Sequence, residues 1–305
     1  MVRGGWGFAS GTFGELVQGE LNGTPFLVTL PIRWGTRAIF IPRPGPGVEV
    51  YPPHRKKAQV AAQQVLRYFG KSQGGLLSVS SVIPIGKGMA SSSADIVASM
   101  RAVSAAVGRP VSAGRMARIA ARIEPSDGVM YDGVVAFNPR QGVILERWGP
   151  MPLGLIVGLV GQGRVNTEAH HRDRIPYTIE HQKKLSLALS RAREGVVRRD
   201  FTLIGEAGRL SAEVQWERGS PDELLGEILR HAADRRWGVV IAHSGTVRGF
   251  IFSPQAVRHG QARDAERYLR SLGSGSVFRF WTQSRRLASQ GELEDDVMRG
   301  RREKF

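Results

Sequence analysis

Apolar residues recur along the chain with two spacings, and each spacing predicts a different element. Runs rich in β-branched and aromatic residues predict strands, whereas apolar residues at every third or fourth position predict amphipathic helices. Pro125 also indicates that a helix ends at Glu124, because proline disfavours helical geometry in the residue before it. Up to residue 150, the pattern predicts strands at residues 26–30, 37–41, 76–83, 134–137 and 143–146, and helices at residues 56–69, 96–107 and 112–123.

The pattern is interrupted at residues 149–152, where Gly-Pro-Met-Pro suits neither a helix nor a strand. We therefore predict two domains, over residues 1–150 and 151–305. Residues 161–176 are polar and predict a loop; the adjacent His170 and His171 point in different directions and do not indicate a metal site. Beyond the boundary, the pattern predicts strands at residues 153–160, 237–242, 249–252 and 276–281, helices at residues 177–195, 200–217, 222–236 and 255–272, and a polar tail over residues 283–305.

A glycine- and serine-rich segment, residues 84–93, lies where a predicted strand leads into a predicted helix. The first turn of a helix carries unpaired N–H groups and a partial positive charge, and both favour an anion such as phosphate. Glycine permits close approach of the backbone, and serine hydroxyls can bond an anion or reach a metal ion. The same residues also suit an ordinary connection, because serine caps helices and glycine forms turns. We call residues 84–93 the glycine–serine segment.

Two familiar phosphate-binding motifs are excluded by the spacing of this segment. Gly86-Lys87 is followed by Gly88, where a Walker A loop requires Ser or Thr. The Gly-x-Gly is not followed by a third glycine three residues later, as a dinucleotide-binding fingerprint requires. A phosphate site here would therefore belong to a different class of loop.

Composition excludes further kinds of chemistry. With 305 residues, of which 41% are hydrophobic, the chain can bury one large core or two ordinary ones. It has no cysteine, which excludes disulfides, thiolate metal sites and cysteine nucleophiles. The N-terminus lacks the apolar core of a signal peptide, and no apolar run approaches the roughly 20 residues of a membrane helix. We therefore expect a cytoplasmic protein with no membrane partner.

The chain is strongly basic, with 43 Lys and Arg against 27 Asp and Glu and a formal net charge of +16. Such an excess is typical of nucleic-acid-binding proteins. Here the arginines are scattered, and pairs such as Arg198-Arg199 and Arg235-Arg236 fall at predicted helix ends, where cations are favoured. No nucleic-acid-binding module is recognisable. The charge therefore favours a solvated basic surface, which would also attract an anionic nucleotide.

Four motifs in this order resemble those of the GHMP kinases, a family of enzymes that phosphorylate small alcohols. The resemblance extends over nearly the whole chain and is most marked to the branch of L-threonine kinases used in cobalamin synthesis. The motifs are residues 14–19 (GELVQG), 83–96 (IPIGKGMASSSADI), 123–127 (IEPSD) and 242–249 (AHSGTVRG).

The resemblance implies an α+β protein with the GHMP kinase fold. Its N-terminal half would be similar to domain 2 of ribosomal protein S5 and would carry the nucleotide-binding segment, and its C-terminal half would be ferredoxin-like. Residues 8–19 and 26–30 would belong to a β-hairpin. The active site would lie in the cleft between the two halves.

The resemblance also implies an activity. The chain would use ATP and Mg²⁺ to transfer the γ-phosphoryl group to the hydroxyl of L-threonine, and the O-phospho-L-threonine would serve the nucleotide loop of cobalamin. One alternative is a GHMP kinase for another small alcohol, such as serine or homoserine. A second alternative is a non-catalytic nucleotide- or nucleic-acid-binding protein on the same scaffold.

Matching the motifs residue by residue implies the roles of particular side chains. Ser92 and Glu124 would hold Mg²⁺, and Asp127 would accept or orient the proton of the acceptor hydroxyl. Asp132 is a rival for Asp127, because mevalonate-type members carry the catalytic Asp further beyond the metal Glu. The implied nucleotide-binding residues are Pro84, Gly86, Lys87, Gly88, Met89, Ala90, Ser91, Ser92 and Ser93, and the implied substrate-binding residues are Glu15, Gln18, Ser244, Gly245 and Thr246.

Some positions depart from the family pattern or admit another interpretation. The threonine-kinase branch tends to carry Ser-Cys before the Gly-Glu pair, where this chain has Thr12-Phe13. The lysine that mevalonate-type members carry in this region is absent. Glu15 and Asp127 could each be a turn carboxylate, and Asp127 could also only position the substrate. For His243, at a strand end, we predict a hydrogen-bonded structural role.

Overall fold

The computed structural model describes residues 4–163, 175–219 and 222–283. It contains helices and strands in mixed order, which confirms the predicted α+β class. The strands are β1 Gly5–Leu21, β2 Thr24–Arg43, β3 Val48–Tyr51, β4 Gly74–Ser81, β5 Val134–Asn138, β6 Val143–Gly149, β7 Leu155–Gly161, β8 Gly238–Ile241, β9 Val247–Phe252 and β10 Gly275–Trp281. The helices are α1 Lys56–Tyr68, α2 Ser91–Val107, α3 Ala113–Ile123, α4 Ile179–Arg198, α5 Phe201–Arg218, α6 Glu223–Arg235, α7 Pro254–Arg258 and α8 Gln261–Ser271.

The chain begins with a long antiparallel hairpin of β1 and β2, which confirms the expected hairpin. The pattern predicts two short strands at residues 26–30 and 37–41, whereas the structure has one continuous strand, β2. Pro31 lacks the N–H that a regular ladder uses. It is accommodated because β1 shifts register on both sides of Thr12, the residue that Pro31 faces. This irregular part of β1 leads directly into Glu15.

In the described part of the chain, one curled sheet of ten strands joins the two halves. Eight strands follow the order β10-β7-β9-β8-β1-β2-β4-β3, and β5 and β6 extend from β2. Strand β1 meets β8 through the pair Glu15 and Ile241. The larger apolar core also crosses this junction, since Phe13 and Phe280 pack with ring centroids 5.1 Å apart. The fold therefore brings the first sequence motif against the fourth.

Two further elements differ from the sequence-based expectation. The periodicity at residues 255–272 predicts one helix, whereas the structure has α7 and α8, separated at Gly260 with a left-handed φ of +83°. The apolar spacing continues across this break, so periodicity alone does not detect it. The short strand β3 was not expected, and it pairs in parallel with β4.

The domain boundary near residue 150 stays a prediction. Strand β6 ends at Gly149 and β7 begins at Leu155, so the boundary falls in a connection between two strands. The sheet and the larger core, however, continue across it. The two halves therefore share their main supporting structure.

Some expectations concern residues beyond the described ranges. The pair His170-His171 of the predicted loop and the polar tail beyond residue 283 lie outside the described residues. Within the ranges that the structure does describe, no helix combines the length and the apolar character needed to cross a bilayer.

Candidate active site

The glycine–serine segment is held through three consecutive backbone carbonyl groups, those of residues 87–89. The donors are backbone N–H groups of β1 and of the β8–β9 turn, residues 242–246. The pairs are Thr246 N to Lys87 O (3.0 Å), Gly14 N to Gly88 O (3.1 Å) and Thr12 N to Met89 O (3.2 Å). The first and fourth motifs therefore fix the backbone of the second.

The N–H groups of the same segment face the opposite way. In a trans peptide, each N–H points opposite to the carbonyl of the preceding residue, so fixing the carbonyls of residues 87–89 turns the N–H groups of residues 88–90 outward. Helix α2 begins directly after Ala90, which has a φ of +57° and provides no side-chain cap. The outward N–H groups and the uncapped helix start together favour an anion.

Two glycines allow the segment and the β8–β9 turn to pack backbone to backbone. Gly88 has a φ of +79°, and a Cβ there would lie 2.4 Å from the Cβ of Ala242. A Cβ on Gly245 would lie 2.3 Å from the carbonyl oxygen of Lys87. Gly88 was singled out as a nucleotide-binding residue and Gly245 as a substrate-binding residue, and the structure brings the two into direct contact.

Lys87 reaches away from the start of α2. Its Nζ donates to the carbonyl oxygen of Gly161 at 2.6 Å and to that of Gly163, at the end of β7. The Thr246 hydroxyl also donates to Gly161 O, at 3.3 Å. The ammonium group therefore links the segment to the C-terminal half.

The three serines at the start of α2 have different surroundings. Ser91 and Ser93 are buried, whereas Ser92 is partly exposed. Met89 is also buried, while Pro84, Gly86 and Ala90 are partly exposed. Of the three hydroxyls, that of Ser92 is therefore the one open to a ligand.

The carboxylate of Asp127 is bonded to α2 through Ser93. The Ser93 hydroxyl accepts from the backbone N–H of Asp127 (3.2 Å) and from the Ser126 hydroxyl (3.1 Å). The Ser93 hydroxyl in turn donates its own proton to Oδ2 of Asp127, at 3.0 Å. The segment that follows α3 is thus joined directly to the first turn of α2.

The electrostatic environment of Asp127 favours its neutral form. Burial raises the pKa of this carboxyl most, and the negative charges of Glu15 and Glu124 raise it further, while the Ser93 hydrogen bond lowers it; the result is a pKa of about 7. Asp132, the alternative from the sequence, is exposed. A carboxyl that titrates near neutrality, as Asp127 does, suits proton transfer at physiological pH.

The two carboxylate oxygens of Glu124, at the end of α3, have different surroundings. Oε2 pairs with the ammonium of Lys57 on α1. Oε1 is buried and accepts no hydrogen bond from any residue that the structure describes. A buried carboxylate oxygen without a donor is suited to a cation, which agrees with the metal role inferred for Glu124.

Glu15 lies at the junction of the two halves, where its Oε2 accepts from the backbone N–H and Nδ1 of His243, both at 3.1 Å. His243 Nε2 lies 2.8 Å from the Ser211 hydroxyl on α5. That hydroxyl accepts from the backbone N–H of Gln18, at 3.0 Å. The other inferred substrate residues, Ser244, Gly245 and Thr246, follow His243 directly and are partly exposed.

The structure therefore brings residues from all four motifs to one place. Sequence reasoning missed Lys57 and Ser211, which belong to ordinary helices and have no motif that could reveal them. The bond from the Ser93 hydroxyl to Asp127 was not foreseen either, and the nucleotide-binding role of Ser93 stays a prediction. The hydrogen-bonded role predicted for His243 is confirmed.

Comparison with known proteins places this arrangement among the small-molecule kinases. The profile of the GHMP kinases N terminal domain matches residues 56–136. The L-threonine kinase of Salmonella typhimurium is 27% identical over 260 residues, which cover 82% of this chain and 83% of that protein. The L-threonine kinase of Citrobacter freundii is 28% identical over 244 residues, covering 78% and 83%, respectively.

A solved structure shares the fold of this chain. The crystal structure of homoserine kinase from Cytophaga hutchinsonii superimposes with a TM-score of 0.70, covering 92% of this chain and 95% of that chain at 16% identity. At this identity the likeness shows the fold alone. The chain contains the GHMP kinases N terminal domain at residues 56–136 and is an ATP-dependent kinase with a hydroxyl group as acceptor.

Proposed function

We propose that this kinase phosphorylates L-threonine, giving O-phospho-L-threonine for the nucleotide loop of cobalamin. The observation that carries the proposal is the Asp127 carboxylate, which is bonded to the start of α2 and has a pKa of about 7. The L-threonine kinases among the relatives support the choice of acceptor, as does the order of the four motifs.

The triphosphate of ATP would lie against the outward N–H groups of residues 88–90 and the first turn of α2. The N-terminal domain, which we propose to span residues 1–150, would supply this surface. The C-terminal domain, residues 151–305, would supply the β8–β9 turn that holds the segment from behind. Nucleotide binding would therefore depend on both halves.

Magnesium would be held by Glu124 and Ser92. The donor-free Oε1 of Glu124 and the partly exposed hydroxyl of Ser92 are oxygen ligands of the kind that Mg²⁺ prefers. In the described ranges, no cluster of three or more His, Asp or Glu could hold a metal, so the phosphates and water would complete the coordination. When bound, Mg²⁺ neutralises charge that builds up on the phosphoryl oxygens.

Asp127 would receive the proton of the acceptor hydroxyl as the hydroxyl oxygen attacks the γ-phosphorus and ADP leaves. The Ser93 hydrogen bond occupies Oδ2 and would hold the carboxylate in a fixed orientation. Because the pKa is about 7, a substantial fraction of the carboxyl is ionised at neutral pH. Most of the rate enhancement would come from positioning and from charge stabilisation.

The acceptor would lie beside Glu15, Gln18 and residues 244–246. Glu15 is buried, and both of its hydrogen bonds from His243 go to Oε2. The other oxygen, Oε1, would be the one to accept from the ammonium group of an amino acid. A second candidate acceptor is homoserine, which the structural neighbour from Cytophaga hutchinsonii suggests by its name.

An ADP-release assay tests the proposal. The purified protein is supplied with Mg²⁺·ATP and with L-threonine, L-serine or L-homoserine in parallel, and the product is identified by mass spectrometry. We expect the highest kcat/KM with L-threonine. A higher kcat/KM with homoserine would identify homoserine, and not L-threonine, as the preferred acceptor. No turnover with any of the three would contradict the proposal.

A further inference from the structure

Three buried polar side chains form a hydrogen-bonded chain across the junction of the two halves. Glu15 comes from β1, His243 from the β8–β9 turn and Ser211 from α5, and their exposed fractions are 6%, 2% and 1%. Solvent therefore does not compete for these hydrogen bonds. Gln215 on α5 adds a bond from its Nε2 to the carbonyl oxygen of His243, at 3.1 Å.

The hydrogen bonds determine which ring nitrogen of His243 carries a proton. An ionised Glu15 can only accept, so Nδ1, 3.1 Å from Oε2, must be the donor. The Ser211 hydroxyl accepts from the Gln18 N–H and can donate its own proton to Nε2, 2.8 Å away. A neutral ring with its proton on Nδ1 is thus compatible with all of these bonds.

A serine, a histidine and a carboxylate in this order could suggest a nucleophilic triad. Ser211 is 1% exposed, and its hydroxyl is already engaged by Gln18 and His243. No substrate carbon or phosphorus could reach it without opening the junction. The chain is therefore suited to fixing Glu15 in place and not to covalent chemistry.

We propose that His243 is a positioning residue for the acceptor, which it serves through Glu15. Its Nδ1–H and backbone N–H hold Oε2 of Glu15, which leaves Oε1 for the acceptor. Ser211 sets the angle of the ring. The inference rests on the proposed function, because it assumes that Glu15 lies beside the acceptor.

Two conservative variants distinguish the roles of Nδ1 and Nε2 of His243. The side-chain amide of Asn can replace Nδ1 of histidine, whereas that of Gln can reach the position of Nε2. We expect His243→Asn to keep the bond to Glu15 and to stay within about tenfold of wild-type kcat/KM for the acceptor. We expect His243→Gln to lose a further factor of about 10 to 100, because a misplaced group costs that much. Nucleotide affinity, measured by fluorescence titration, should change by less than about threefold in both.

His231→Asn is the matched control. His231 lies on α6, where its ring stacks on Tyr268 with centroids 3.5 Å apart, and it belongs to none of the four motifs. We expect this variant to keep the wild-type kcat/KM even if its melting temperature falls. Equal losses in His243→Asn and His243→Gln, or losses that track melting temperature across all three variants, would overturn the proposal.

Nitrogen-15 NMR of the histidine rings gives a readout that does not depend on activity. In the wild-type protein we expect His243 to carry a proton on Nδ1, with its signal assigned by loss in His243→Asn. An unprotonated Nδ1 would overturn the inference even if the protein phosphorylates threonine. Conversely, a protonated Nδ1 in a protein that phosphorylates none of the three amino acids would leave the geometry correct and the proposed function wrong.

Discussion

Two desolvated aspartates lie near the start of helix α2, and their surroundings differ in one respect. Asp95, on the helix, accepts from the Thr36 hydroxyl at 2.8 Å and pairs with the guanidinium of Arg55. Asp127, after α3, accepts from the Ser93 hydroxyl at 3.0 Å and faces the negative charges of Glu15 and Glu124. The carboxylate of Asp95 has a positively charged partner. That of Asp127 has a neutral hydroxyl partner and two other carboxylates nearby.

The comparison shows how two carboxyls whose pKa values are both raised can have different roles. Burial is the largest cause of a raised pKa in both carboxyls, but Arg55 opposes it at Asp95, while Glu15 adds to it at Asp127. The Asp95 pair joins α2 to the residues before α1 and serves the fold. Asp127 is left near its titration point, which is the state that a proton acceptor needs.

The largest expected effect is on activity at Asp127. Asp127→Asn preserves shape and the acceptor for Ser93 but removes the proton-accepting charge, so kcat should fall by about 10² to 10⁴. The measurement is steady-state ADP release with the preferred amino acid. Asp132→Asn is the matched control and should keep most of the activity, because Asp132 is exposed. If Asp132→Asn lost the activity and Asp127→Asn kept it, Asp132 would be the proton acceptor.

The next effect is on stability at Asp95. Arg55→Met leaves a buried carboxylate without its cation, and breaking such a pair should lower the free energy of unfolding by about 3 to 5 kcal/mol. Chemical denaturation measures this loss. The double variant Arg55→Met with Asp95→Asn should recover part of it, since no charge is left unpaired. A loss below about 1 kcal/mol in the single variant would mean that the pair contributes little.

A smaller effect concerns pH. Asp127 must be ionised to accept a proton, so kcat/KM should rise as the pH passes through about 7, the pKa of this carboxyl. Glu15→Gln removes a negative charge that raises this pKa, so the midpoint of the pH–rate profile should move to lower pH. A midpoint that stays in place, or moves upward, would show that Glu15 does not act on Asp127.

The raised pKa of Asp127 also predicts that stability depends on pH. The folded-state pKa of Asp127 lies above its unfolded value, so its contribution to stability is present at low pH and is lost as the pH rises through about 7. Denaturation curves recorded between pH 3.8 and about 7 should show a free energy of unfolding that declines as the pH rises. The decline should be shallower in Asp127→Asn. An identical slope in both proteins would contradict the raised pKa.

The smallest effect concerns the cation beside Glu124. Lys57 pairs with Oε2, and its side chain is 55% exposed, so it competes with Mg²⁺ only weakly. Lys57→Met should lower the Mg²⁺ concentration for half-maximal nucleotide binding by about two- to fivefold, measured by fluorescence titration. The exposed neighbour Lys56 offers the control, and Lys56→Met should leave the midpoint unchanged. An unchanged midpoint in Lys57→Met would contradict the role of Glu124 as a metal ligand.

The sequence alone determined the local elements and the order of the four motifs. Helix α3, for example, is capped by Ser112 and ends before Glu124-Pro125, as the residue pattern predicts. These features depend on neighbours a few residues apart, and spacing along the chain records such interactions directly. The break at Gly260 was missed because the apolar spacing continues across it.

Only the tertiary structure decided which of the buried polar groups would meet. Ser93 meets Asp127 across 34 residues, and Glu15 meets His243 across 228 residues. Such contacts depend on how β1, α2 and the β8–β9 turn pack together, and no local pattern encodes that packing. The charge environment that raises the pKa of Asp127 exists only after the sheet has joined the two halves, because burial and nearby charges are properties of the folded molecule.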